Sequence, residues 1–267
     1  NSSKKNGSLD DVINALKSKN IKYTVYDGVE ENPSVETVME AREIGVKAGC
    51  DFIIGIGGGS PMDAAKAIGV MIYYKNENKD FLYKSVSNSQ SLPVIEVPTT
   101  CGTGSEVTTV AVLTVHNEKT KKSMSHRIFP RMALVYEKYI NNAPLKVICD
   151  TAIDALAHIV ESCINNNATE YSKMFAKEGL EAWSKFKDVL LGNREATDED
   201  FHNMMYASTL AGMCIAHAGT SLPHGLSYPI TYELGISHGK AVGYFLPGYI
   251  NEATDEDKEF VLKAAGF

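Results

Sequence analysis

Asp51-Phe-Ile-Ile-Gly-Ile-Gly-Gly-Gly-Ser-Pro-Met-Asp-Ala-Ala-Lys66 reads as a buried strand, a glycine turn and the start of a helix. Residues 51–56 form a mostly apolar run of the kind that suits a parallel strand covered on both faces. Gly57, Gly58 and Gly59 then let the backbone turn sharply and bring its N–H groups close to a ligand, where a Cβ would obstruct. Ser60 fits a helix N-cap, Pro61 the first helical position and Asp63 the third, a variant of the capping box. Such a succession makes an anion site, because unpaired N–H groups and the helix dipole point the same way. A pyrophosphate is the expected anion, and a purely structural turn is the alternative. The run departs from Gly-x-Gly-x-x-Gly, since counting from Gly55 puts Ser60 at the last glycine, and it lacks the Gly-Lys-Ser/Thr end of a Walker loop.

Outward from this segment the pattern is that of an α/β domain. Upstream, Leu9 to Lys19 is an amphipathic helix with Leu9, Val12, Ile13 and Leu16 on one face. Lys22 to Asp27 reads as a strand, and Asn32-Pro33 opens a helix running to Ala48. Downstream, the strand Pro93 to Val97 leads into Pro98-Thr-Thr-Cys-Gly-Thr-Gly-Ser-Glu106, a loop with hydroxyls at Thr99, Thr100, Thr103 and Ser105. Ligands of open α/β sheets bind at the carboxyl ends of strands, so two such loops suggest a nucleotide with phosphates on one and sugar or ring on the other. Cys101 within the second loop has no base beside it in sequence and reads as a packed thiol. Val110 to Val115 and Met132 to Tyr136 are further strands, and Lys122, leaving the polar turn between them, reads as solvated.

From Pro144 onward the period is helical. Asp150-Thr-Ala-Ile-Asp-Ala-Leu-Ala-His-Ile-Val-Glu161 carries Asp154 and His158 one turn apart on a helix that is apolar nearly all round. Two polar groups buried in this way need a compensating partner. His224 and His238, each followed by glycine in an apolar context, are candidates for it. One carboxylate and three imidazoles suit Fe²⁺ or Zn²⁺, whereas calcium or magnesium favours oxygen ligands. His116, His126, His202 and His217 read as exposed or packed. A polar joint at residues 165–169 and helices over 170–191 and 199–218 complete the pattern.

Composition narrows the class. A net charge of -7 argues against a nucleic-acid surface. The apolar runs are far shorter than a bilayer span, and the start lacks the apolar core of a signal peptide. Five scattered cysteines with no Cys-x-x-Cys pair suit reduced thiols in a cytoplasmic protein.

Taken together, Gly-Gly-Gly-Ser-Pro-Met-Asp-Ala-Ala-Lys (57–66), Pro-Thr-Thr-Cys-Gly-Thr-Gly-Ser-Glu-Val-Thr (98–108), Asp-Ala-Leu-Ala-His (154–158) and the pair His224 and His238 closely resemble the iron-containing, group III alcohol dehydrogenases. The resemblance implies a Rossmann-like α/β dinucleotide-binding domain over residues 1–143 and an all-α metal and substrate domain over 144–267. It implies NAD or NADP held by Gly57, Gly58, Gly59, Ser60, Asp63, Thr99, Thr100, Thr103 and Ser105, with Lys122 as a ribose contact. It also implies Fe²⁺, with Zn²⁺ as the variant, on Asp154, His158, His224 and His238. The implied reaction is hydride transfer between the cofactor and a small primary alcohol, diol or aldehyde, in a homodimer without nucleic-acid or membrane partners. Tyr228 stands where many members carry a relay histidine, and a phenol there can still donate a hydrogen bond. The family's first strand and last helices fall outside residues 1–267 on this comparison. The alternatives are a zinc-dependent polyol dehydrogenase, a dehydroquinate-synthase-like lyase, or a catalytically silent nucleotide-binding fragment.

Overall fold

The computed structural model describes residues 2–267. They divide into two compact units, one holding the chain up to Thr99 together with Thr108–Val135, the other Thr100–Val107 and Tyr136–Phe267.

In the first unit, α1 (Ser2–Lys5), α2 (Ser8–Ser18) and α3 (Val35–Ala48) precede β1 (Ile53–Gly57), α4 (Gly59–Tyr73) and β2 (Val94–Pro98). A hairpin of β3 (Val112–Val115) and β4 (Thr120–Ser123) follows, then the two-residue β5 (Met132–Ala133). β1, β2 and β5 make a parallel sheet in that order, with Ile53 opposite Val94 and Ile95 opposite Met132. β3 and β4 pair antiparallel. Val38, Ala64, Ala67, Val70, Met71 and Leu113 are among the apolar residues that close the core around α3, α4 and the hairpin.

Three local expectations are corrected. Lys22 to Asp27 is irregular rather than a strand, and the neighbouring Ile21, Tyr23 and Val25 are 40–46% exposed. Alternation of apolar residues becomes a strand only where a neighbour supplies the hydrogen-bond ladder, and among the described residues no strand pairs with this one. The helix expected to open at Asn32-Pro33 is capped by Ser34, whose Oγ accepts from the Thr37 N–H. The start of α4 is capped by Gly58 without a side-chain hydrogen bond, so Ser60 and Asp63 do not form the expected capping box.

Ser60 and Asp63 are tied elsewhere instead. The Asn32 N–H donates to Ser60 Oγ at 3.0 Å, and the Val112 N–H donates to Asp63 Oδ2 at 2.8 Å. One turn further on, Lys66 donates to the Val110 carbonyl at 2.8 Å, with its ammonium 4.0 Å from Glu96 Oε1. Both of these charged side chains are fully buried, and Asp63 Oδ1 lies 3.9 Å from the same ammonium, so Lys66 sits between two carboxylates. Asp63 and Lys66 thus fasten α4 to the segment entering β3, which fixes the glycine turn at the helix's N-terminal end.

The second unit is helical: α5 (Leu145–Ile164), α6 (Glu170–Leu190), α7 (Asp198–Ala218), α8 (Leu222–Leu234), α9 (His238–Gly243), α10 (Leu246–Asn251) and α11 (Asp255–Ala264). α5 lies at its centre, with Ala152, Ala155, Ile159 and Val160 in a core shared with Leu180, Trp183, Phe186 and Met204. Trp183 Nε1 donates to the Ala152 carbonyl at 2.8 Å, which pins α6 to α5 through the one polar atom of the indole. Residues 100–107 join this unit through Thr209, which donates to Glu106 Oε1 at 3.0 Å, and through Cys101, whose sulfur lies 3.4 Å from Thr151 Oγ1. Among the described residues no helix is long and apolar enough to cross a membrane.

Both long helices after α5 start with capping boxes, Thr169 with Ser172 and Thr197 with Asp200. Asp200 also takes a two-pronged ion pair from Arg194, at 2.6 and 2.7 Å. The Arg194 guanidinium holds the Asp200 carboxyl well below the usual carboxylate range. A depressed folded-state pKa contributes stability above the unfolded value and loses it as pH falls toward the folded one. Arg194→Ala is therefore expected to lower the melting temperature by an amount that is constant from pH 5 to 8 and shrinks as pH drops below about 4. Thr197→Ala is expected to cost about 1 kcal/mol in chemical denaturation.

Candidate metal centre

α5 supplies the first two groups. Asp154 and His158 leave the same face one turn apart, and both are buried, as expected for a helix whose remaining surface is nearly all apolar. A chain that returns twice to this face supplies the others. Pro223 sits in the first turn of α8, where its missing N–H costs nothing, and His224 follows it. His238 is the first residue of α9.

The two His-Gly pairs differ. A Cβ on Gly239 would collide with the Asp150 carbonyl, so glycine is what allows α9 to cross α5 closely enough for His238 to reach Asp154. A Cβ on Gly225 would meet nothing within 4 Å. Close packing of the backbone therefore demands glycine at the second pair and not at the first.

Three imidazoles converge on one carboxylate oxygen. Asp154 Oδ1 lies 3.4 Å from His224 Nε2, 3.7 Å from His238 Nε2 and 4.0 Å from His158 Nε2. Donors about 2.1 Å from a common ion in tetrahedral array stand roughly 3.4 Å from one another. One ligand atom each from Asp154, His224 and His238 falls within 4.8 Å of the other two, and the His158 ring stacks on that of His224 at 4.4 Å. Asp154 Oδ1 and His224 Nε2 are buried and make no hydrogen bond among the described residues. Buried polar atoms are nearly always satisfied, so this pair marks a place built for a further partner.

The other ring nitrogens explain why Nε2 is the inward atom in all three histidines. His158 Nδ1 lies 3.2 Å from the Gly102 carbonyl, which can only accept. His224 Nδ1 lies 2.5 Å from Glu161 Oε1. Ser227 Oγ donates to the His224 carbonyl at 2.7 Å and so presents a lone pair to His238 Nδ1, 3.4 Å away. With an acceptor beside each Nδ1, an imidazole that carries a single proton carries it there and turns its Nε2 lone pair toward Asp154, as metal-ligating histidines do.

The electrostatics favour a cation at this point. Burial opposes ionisation of Asp154, yet His158, His238 and His224 outweigh it and hold its carboxyl below the ordinary range. Burial likewise opposes the protonated form of His224, but the Asp154 and Glu161 carboxylates beside it prevail and bring its pKa up to about 9. His158 is shifted downward, first by burial.

The candidate cofactor residues are placed as follows. In the first unit, Gly57 has φ 151°, and a Cβ there would press on the Pro61 ring, while Gly58 and Gly59 begin α4. Thr99 follows β2, and its N–H donates to the Gly57 carbonyl at 2.8 Å, joining the two strand ends. Lys122 lies on β4, paired with Glu118 at 3.0 Å and set over the Tyr83 ring. In the second unit, Thr100, Thr103 and Ser105 lie on the loop that follows, where Thr103 Oγ1 accepts from the Ser105 N–H. The Tyr228 ring stacks on His238, with centroids 5.8 Å apart. Cys101 is buried and its thiol is pushed up to about 11 by that burial, consistent with a packed thiol.

Sequence reasoning missed Glu161, Ser227 and Gly102 as groups acting on the site. Glu161 was within reach of it, because it stands three residues after His158 and hence on the same helix face. Gly102 and Ser227 act through a carbonyl and a hydroxyl whose role depends on the chain's return path, for which no spacing rule exists.

Comparison with known proteins places both halves of the chain in one family. Residues 1–137 match the family described as "Iron-containing alcohol dehydrogenase", and residues 148–265 match "Fe-containing alcohol dehydrogenase family, C-terminal". The long-chain primary alcohol dehydrogenase AdhA of Thermoanaerobacter ethanolicus is 32% identical over 250 residues, which cover 92% of this chain and 62% of that protein. This chain therefore spans about three fifths of that relative's length. A crystal structure of an iron-containing alcohol dehydrogenase from Thermotoga maritima is 40% identical with a TM-score of 0.92, covering 100% of this chain and 74% of that one. A sulfoacetaldehyde reductase from Bifidobacterium kashiwanohense, solved in complex with NAD⁺, is 28% identical with a TM-score of 0.88, covering 99% of this chain and 71% of that one. With both halves matched in order, the chain belongs to the iron-containing alcohol dehydrogenase family.

Proposed function

We propose that the chain carries the working parts of a metal-dependent, NAD- or NADP-linked alcohol dehydrogenase and aldehyde reductase. The observation that supports this most is the convergence of three Nε2 atoms on a buried carboxylate oxygen with no hydrogen-bond partner among the described residues. Asp154, His158, His224 and His238 are the residues that would hold Fe²⁺, with Zn²⁺ as the other ion this donor set accepts. Such an ion, when bound, supplies a Lewis acid that lowers the pKa of an alcohol or polarises an aldehyde carbonyl.

The remaining tasks fall to the chain itself. Asp154 supplies negative charge within a water-poor helix core, and the Nδ1 partners of the histidines keep their lone pairs directed inward. For the cofactor, the α4 N-terminus with Gly57, Gly58, Gly59 and Ser60 offers backbone N–H groups and a helix dipole to a pyrophosphate. In our reading Asp63 serves the cofactor indirectly, by anchoring α4 to the Val112 N–H. Thr99, Thr100, Thr103 and Ser105 are proposed for the sugar and ring side and Lys122 for a ribose hydroxyl. Tyr228, stacked on His238, is proposed to donate a proton or hydrogen bond from its phenol on the substrate side.

Named substrates among relatives include butanol, 1,3-propanediol and lactaldehyde, which supports a small primary alcohol, diol or aldehyde here. Five cysteines, all free, support a cytoplasmic setting. A homodimer over residues 1–267, divided functionally at 143/144, completes the proposal, and mass by light scattering tests the assembly.

Steady-state oxidation of short alcohols with NAD and NADP is expected to require Fe²⁺ or Zn²⁺ and to vanish on chelation. Absence of turnover with either ion, while NADH still binds, would overturn the enzymatic reading. His224→Ala is expected to lower metal content to background and turnover by about 10³-fold or more, with NADH affinity unchanged, and full metal content in that variant would remove His224 from the ligand set. Tyr228→Phe is expected to keep the metal and lose on the order of 10²-fold in kcat, with a shifted pH profile.

A further inference from the structure

Glu161 lies on α5, two turns beyond Asp154, and its side chain is fully buried. Its two oxygens do different work. Oε1 is 2.5 Å from His224 Nδ1, and Oε2 is 2.5 Å from the N–H of Ser221, the residue that enters α8. We propose that Glu161 is a positioning residue that fixes the tautomer of His224, holding the ring proton on Nδ1 so that Nε2 faces Asp154 as a lone-pair donor. The inference rests on the metal-site reading above and assigns to Glu161 a control over metal affinity that does not require it to touch the ion.

A backbone N–H can only donate, so Oε2 is committed as an acceptor by Ser221. The carboxylate then has only another acceptor oxygen to present to His224, and Nδ1 must carry the proton. The same carboxylate sets the ring's direction, because Ser221 anchors it to the start of the helix that bears His224. The other two imidazoles have neutral Nδ1 partners at longer range, the Gly102 carbonyl at 3.2 Å and Ser227 Oγ at 3.4 Å. Of these three partners only Glu161 is a carboxylate, and a charged acceptor holds the Nδ1 proton more firmly than a neutral one.

Glu161→Gln separates this role from simple packing. Glutamine keeps the shape but offers one acceptor oxygen to two N–H donors. Its oxygen is expected to stay with the immovable Ser221 N–H, leaving the NH₂ against Nδ1. His224 then satisfies that NH₂ by accepting at Nδ1, which moves its proton to Nε2 and removes a ligand lone pair. A residue that only filled space would be replaced by glutamine without loss.

Competition of the full chain against a chromophoric chelator for Zn²⁺ and Co²⁺ reads the effect. Glu161→Gln is expected to bind both ions about 10- to 100-fold more weakly, with the melting temperature of the chelator-treated protein and its NADH affinity unchanged. Affinity within twofold of the unaltered chain would overturn the proposal. A second measurement needs no variant: long-range ¹H–¹⁵N correlation of histidine-labelled, Zn²⁺-loaded protein is expected to show His224 protonated at Nδ1 and coordinating through Nε2. Coordination through Nδ1, or a proton on Nε2, would overturn it even if Glu161→Gln failed to fold. An unaltered chain that binds neither ion would instead overturn the metal-site reading and this inference with it.

Discussion

A carboxylate buried in the middle of an apolar helix is the constraint around which the second unit is arranged. Asp154 is 3% exposed and has Ala155, Ala157, Ile159 and Val160 for neighbours along α5. Left alone, its charge would carry a desolvation cost large enough to unfold a marginally stable domain. His158 arrives from the same helix at no topological expense. The other two imidazoles come only because the chain returns through α8 and α9, and that return demands Gly239 where α9 passes the Asp150 carbonyl. Long-range organisation here follows from a local electrostatic debt.

The partners of the histidines extend the same logic outward. A carbonyl from the loop at Gly102, a carboxylate from α5 and a hydroxyl from α8 each take one Nδ1, so three separate segments are held in place by the orientation of three rings. Their chemistry is unequal, with one carboxylate and two neutral oxygens. The first unit uses buried charge differently. Lys66 stands 4.0 Å from Glu96 and 3.9 Å from Asp63 in the interior and donates hydrogen bonds to the Val110 carbonyl and to Thr108 Oγ1. The Lys66 and Asp63 hydrogen bonds, to the Val110 carbonyl and from the Val112 N–H, are what hold α4 to the segment entering β3. That geometry is what the glycine turn needs, since its N–H groups are useful to an anion only if the helix behind them is fixed.

The iron-containing alcohol dehydrogenase family is matched in both halves of the chain, residues 1–137 by one family model and residues 148–265 by the other. The Tyr228 ring stacks on that of His238, so an aromatic plane bearing a phenolic hydroxyl borders that imidazole.

Short-range physics was legible in the residues themselves. The parallel strands β1 and β2 follow from apolar runs, α5 from its helical period, and the Asp154 and His158 pair from a spacing of four. Glycine turns marked the strand ends, and the order of motifs identified the family. What depended on partners was not legible. Lys22 to Asp27 has a strand's alternation but no neighbour among the described residues to complete a ladder, and Ser60 and Asp63 have capping chemistry but are claimed by Asn32 and Val112. Whether Gly225 or Gly239 was the crowded glycine, and that Glu161 faces Ser221 and His224 together, depended on how α8 and α9 come back across α5. The sequence by itself determined most of the element types and the family, because these rest on patterns within a few residues. The tertiary structure alone decided which nitrogen each histidine presents, because that proton is placed by acceptors distant in the chain.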